Sequence, residues 1–141
     1  MPRSDERRCE LICIDPARID EFWPHVSPLI RAAMERGAIT DFGDVADAVL
    51  AGRALVWIAW DGTSIKAAAV TQLSTVGGAR FCTIVACSGS NRSEWLPLLA
   101  GLERYAKAEN CKAMRIFGRR GWERLIPDYK VARVLLEKEL N

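Results

Sequence analysis

The chain has 141 residues, half of them hydrophobic and 27% charged, with a net charge of +2. That length and balance fit one globular domain with a real core, exclude extended disorder, and by charge alone imply neither a nucleic-acid nor a membrane partner. The charge is unevenly placed: residues 1–100 hold ten basic and twelve acidic side chains, whereas residues 101–141 hold ten and six. The C-terminal excess either attracts an anion or forms a solvated basic face.

Residues 1–7 are charged and expected to be frayed, and the opening "MPRSDERRCE" lacks the apolar core of a signal peptide. A single domain over 1–141 in a reducing cytoplasm is expected. The five cysteines (Cys9, Cys13, Cys82, Cys87, Cys111) are odd in number and show no Cys-x-x-Cys pairing, against a disulfide framework or structural zinc. "CELICI" (Cys9–Ile14) is a short strand. Asp15-Pro16 then opens a helix, with Asp as N-cap and Pro at the first position. Ile19, Phe22, Trp23, Val26, Leu29, Ile30 and Ala33 follow at helical spacing, and Pro24 and Pro28 predict a kink or two short helices.

"TDFGDVADAVLAGR" reads as a second helix, capped by Thr40 or Asp41, with Val45, Val49 and Leu50 inward and Gly52 ending it. "ALVWIAW", "SIKAAAVTQLSTV" and "ARFCTIVACS" are three strands joined at Asp61-Gly62 and Gly77-Gly78, an antiparallel meander. Next, "CSGSNRSEWLPLL" (Cys87–Leu99) carries a glycine turn into a helix. Trp95, Leu98, Leu99, Leu102, Tyr105 and Ala106 form one apolar stripe on that helix. "CKAMRIFG" (Cys111–Gly118) is a strand reached by a right-handed crossover, hence parallel to the strand before the helix. "WERLIPDY" is a short helix at most, and "VARVLLEKEL" closes as a final strand.

This order is similar to the GNAT-type N-acyltransferase domain: strand, two helices, three-stranded antiparallel meander, helix, parallel strand, short helix, final strand, a mixed-sheet α/β (α+β) fold. The closing run "AENCKAMRIFGRRGWERLIPDYKVARVLLEKEL" carries most of the resemblance. "GRRGW" followed by "LEKEL" resembles uncharacterised GNAT-like proteins of tailed bacteriophages and proteobacteria. The resemblance implies acyl transfer from acetyl-CoA or another acyl-CoA to an amine. Its pantetheine arm would enter between two splayed strands, and its pyrophosphate would rest on N–H groups at a helix start.

Ser88, Gly89, Ser90, Asn91, Arg92 and Ser93 occupy that loop with one glycine and one basic residue, where the family pattern has a second, spaced glycine. The loop therefore reads either as a helix cap or as a degenerate anion site. Arg119 and Arg120 beside Trp122 suit a coenzyme phosphate, an exposed turn, or nucleic acid. Tyr129 stands a few residues from the position of the family's acid, and His25, the sole histidine, lies in the region that borders the acceptor. No metal site and no serine-triad elbow are expected. The alternative to an enzyme is a non-catalytic GNAT-like structural or host-interaction protein with a virion partner or a second copy of itself.

Overall fold

The computed structural model describes residues 9–35, 41–89, 99–116, 126 and 128–140. Five strands form one sheet in chain order: β1 (Glu10–Cys13), β2 (Leu55–Trp60), β3 (Ile65–Val76), β4 (Ala79–Gly89) and β5 (Ala113–Ile116). β1 to β4 pair antiparallel, and β5 joins β4 in parallel. The expected mixed-sheet fold class therefore holds.

Between β1 and β2 lie α1 (Ile19–Met34) and α2 (Phe42–Leu50), and α3 (Leu99–Ala108) precedes β5. The Asp15 carboxylate accepts from Ala17 N at 2.9 Å and caps a 3-10 turn, Pro16–Arg18, that leads into α1. Of the two expectations, a kink or two short helices, the second does not hold: α1 is one 16-residue helix with Pro24 and Pro28 inside it. The prolines stand four apart on the exposed side, where carbonyls that lose a helical partner meet water. Val26 and Ile30, fully buried, hold the opposite side against the sheet.

Asp41 caps α2 by accepting from Gly43 N at 2.9 Å. At the far end Arg53 N donates to Ala48 O and Gly52 N to Val49 O, with Gly52 at φ +80°. This is a Schellman ending that favours glycine. Val45 and Val49 are buried as expected, but Leu50 is 47% exposed, because the stripe turns away before the helix ends.

Two cores flank the sheet. Ile14, Val56, Ile58, Ala68, Val70 and Ala86 face α1 and α2; Trp57, Ala69 and Ile84 face α3 through Leu99 and Leu102. Ala67, Ala68 and Ala69 are buried in the middle of the sheet, and their small side chains let helices approach both faces. Gly77 and Gly78 both have positive φ, as a two-residue hairpin turn requires. The other hairpin is wider: Asp61 accepts from Thr63 N and Ser64 N, each at 2.8 Å, and a register shift follows Ala59.

The closing strand expected over 131–140 does not form in the single chain. Residues 129–140 have no regular structure, and 131–140 are all exposed. Among the described residues the sheet ends at β5, and no ladder includes this segment. The short helix before it lies almost entirely outside the described residues, with Ile126 and Tyr129 its visible anchors.

Candidate functional site: a fork between β4 and β5

Among the described residues, β4 and β5 pair over four positions at one end of β4. Phe81 pairs with Ala113, Cys82 with Met114, Thr83 with Arg115 and Ile84 with Ile116. β4 then continues for five residues, Val85–Gly89, with no strand on that side among the described residues. Successive residues there present N–H and C=O groups to the open edge, a template for an extended chain carrying amides.

A bulge in β4 lies where its described pairing with β5 ends. Val70 faces Ala86 and Thr71 faces Ile84, which leaves Val85 as the extra residue of β4. On a regular strand Ile84 and Ala86 would share a face. Here Ile84 packs in the α3 core, whereas Val85 and Ala86 pack on the α1 and α2 side. Such a bulge bends its strand and strengthens the twist, which turns β4 away from a straight partner.

The joined end is clamped. Lys112 N donates to Arg80 O at 2.7 Å, and Arg80 Nη1 donates to Glu109 O at 2.9 Å. Arg115 stacks over the Phe81 ring, 3.6 Å from its centroid. α3 ends just before, in a Schellman ending with Asn110 at φ 61°, so the chain turns sharply into β5.

Of the residues singled out in the sequence, Ser88 and Gly89 lie at the open end of β4, Ser88 half-buried. Ser90, Asn91, Arg92, Ser93, Arg119 and Arg120 fall outside the described residues. His25 is exposed on α1. Tyr129 is half-buried beside α3, and its hydroxyl donates to Glu103 Oε2 at 2.7 Å. Burial, and then the bond to Glu103, push its pKa well above the ordinary tyrosine value.

Burial also pushes the Cys87 thiol up to about 12, and burial followed by the neighbouring Cys111 pushes Cys82 up to about 11. Both stay protonated at neutral pH and are poor nucleophiles. None of the five cysteines is in a disulfide, and no group of three or more His, Cys, Asp or Glu that could hold a metal occurs among the described residues. No helix there is long and apolar enough to cross a membrane.

One pocket, about 160 Å³, was not foreseen from the sequence. It lies between α2 and the sheet, and its lining includes Asp44, Arg53, Gln72 and the bulged Val85. Asp44 read only as an acid in the first turn of a helix, and nothing in the apolar run of β4 marks Val85 as extra.

No family model and no curated protein sequence matches the chain. Solved structures do. An aminoglycoside acetyltransferase from an uncultured soil metagenomic sample, solved with sisomicin, aligns with TM-score 0.69 and 10% identity, over 99% of this chain and 100% of that one. The chain has the GNAT acetyltransferase fold. A GNAT family acetyltransferase of Staphylococcus aureus aligns with TM-score 0.66 and 14% identity, over 94% of this chain and 99% of that one. A Trypanosoma brucei acetyltransferase gives 0.62 and 14%, over 94% and 99%. At these identities the likeness is one of GNAT architecture.

Proposed function

We propose that this chain is an acyltransferase that moves an acyl group from acyl-CoA, acetyl-CoA in the first instance, to an amine. The observation that carries the reading is the open edge of β4: among the described residues β5 pairs with it as far as Ile84, and Val85–Gly89 have no strand on that side. That edge fits the amides of a pantetheine arm. Ser88 and Gly89, with Arg92 beyond them in sequence, would receive the pyrophosphate, and Arg119 and Arg120 the remaining phosphate. Bound there, acyl-CoA supplies a thioester.

The acceptor nitrogen attacks the thioester carbonyl: the C–N bond forms, the C–S bond breaks, and the sulfur leaves as a thiolate that takes up a proton. β3 and β4 contain no Asp, Glu or His. The amine therefore reaches the fork already neutral or loses its proton to water. Tyr129 is protonated throughout the neutral range, but its proton is held by Glu103. Delivery to sulfur requires that bond to open. The pocket at Asp44, Arg53 and Gln72 provides the acceptor with a polar approach that reaches Val85 at the bulge.

The lack of Asp, Glu and His on β3 and β4 favours a second reading, a module that binds acyl-CoA without turning it over. Incubation with acetyl-CoA and a panel of primary amines, with release of coenzyme thiol followed against protein-only blanks, separates the two. Amine-dependent release supports the acyltransferase. Binding of acetyl-CoA with no release for any amine supports the module.

A further inference from the structure

We infer that the pocket between α2 and the sheet is a site for a small amino acid, held by its ammonium at Asp44 and its carboxylate at Arg53. Its use there as the acyl acceptor rests on the acyltransferase reading, and narrows the acceptor from amines in general to one class.

α2 and the turn after it bring the two charges to one place. Asp44 and Ala48 stand four apart and share a face of the helix. The Schellman ending then folds the chain back: Arg53 N and Ala54 N both donate to Ala48 O, at 2.8 and 3.2 Å. Asp44 and Arg53 thereby line the same pocket of about 160 Å³, with Gln72 from β3. Val45, Ala48 and Ala54, all buried, complete an apolar lining of short side chains, which suits a short ligand.

Asp44 and Arg53 do not neutralise each other. Among the described residues neither side chain makes an ion pair or a hydrogen bond, and nor does that of Gln72. A ligand carrying both charges pairs with both residues. An amine with no anionic group meets the like charge of Arg53, and an acid with no amine meets that of Asp44. The guanidinium fork matches a carboxylate, and the Gln72 amide can donate to the carboxylate or accept from the ammonium.

The site also lies where the reaction needs it. Val85, the extra residue of β4, is in the lining and follows the last described pair of β4 with β5. The ammonium loses one proton before it attacks and a second as the amide forms, the second going to the sulfur. The product therefore keeps only its carboxylate, and Asp44 changes from a partner of the substrate to a like charge facing the product. That change favours release.

The test pairs each amino acid with the alkylamine that lacks its carboxylate: glycine with methylamine, β-alanine with ethylamine, 4-aminobutyrate with propylamine. Release of coenzyme thiol from acetyl-CoA measures kcat/KM, and calorimetry without acetyl-CoA measures binding of the same compounds. At least one amino acid should exceed its alkylamine by tenfold or more in both. Arg53→Ala should shrink that preference at least tenfold, with Arg53→Lys between it and the wild type, and Asp44→Asn should weaken binding of the amino acid. Both residues are exposed, so the variants should keep the fold by circular dichroism. Equal use of the two members of every pair, or a preference that survives Arg53→Ala, overturns the inference. If no amine releases thiol, the acyltransferase reading fails and calorimetry decides the site by itself. Amino-acid binding that Arg53→Ala abolishes then supports the site, and no binding at millimolar concentration overturns it.

Discussion

The guanidinium of Arg115 lies over the ring of Phe81, 3.6 Å from its centroid, at the one place where β4 and β5 are still paired. Phe81 is half-buried, so the contact is partly shielded from water. Arg115→Ala should lower stability by about 0.5–2 kcal/mol. Its specific effect should be faster hydrogen exchange in β5 than in β2 or β3. Uniform loosening of the sheet would show that the contact does not hold the fork.

Trp57 and Thr71 form the buried hydrogen bond of the α3 side: the indole N–H donates to the Thr71 hydroxyl at 2.8 Å. Tyr105 packs edge-on against the same indole at 4.9 Å. Thr71→Val keeps the shape and leaves the N–H without a partner in an apolar core. The expected cost is about 1–3 kcal/mol, read from urea denaturation.

Alkali should weaken the fold before acid chemistry does. Burial raises the Cys82 and Cys87 thiols from 9.0 to about 11 and about 12. The unfolded chain therefore releases these protons first as pH rises. Their contribution is complete below pH 9 and is lost through the window up to about 12, at no more than about 1.4 kcal/mol per pH unit for each thiol. Tyr105, raised to about 12 chiefly by burial, adds to the loss from pH 10 upward. Denaturation midpoints between pH 8 and pH 11 measure the slope, and Cys87→Ala should flatten it.

The pH profile of turnover should belong to the acceptor. With no Asp, Glu or His on β3 or β4, kcat/KM should rise with pH until the amine itself is neutral. Acceptors of different basicity should shift the midpoint accordingly. A midpoint near 6.5 that does not move with the acceptor would point to a protein base, with His25→Ala as the next variant.

Turn and cap chemistry was legible because it acts locally. Asp41, Gly52 and the Gly77-Gly78 pair fixed their elements wherever they stood in the fold. At Pro24 and Pro28 the helix is not split in two, because packing of Val26 and Ile30 outweighs two lost hydrogen bonds on a wet face. The bulge at Val85 was not legible: it arises from pairing with a strand far along the chain, and Val85 looks like its neighbours. "VARVLLEKEL" reads as a strand by its alternation, yet residues 131–140 have no regular structure, because alternation alone does not supply a neighbouring strand.

The central claim is that the fork at Ile84 receives acyl-CoA, and the most direct measurement is the melting temperature of the full chain against acetyl-CoA concentration. A ligand confined to the folded state stabilises it by about 2.7 kcal/mol at a hundred times its dissociation constant. The account predicts a saturable rise in melting temperature that shortened analogues lacking the pantetheine arm do not reproduce. A melting temperature unchanged at millimolar acetyl-CoA would contradict it.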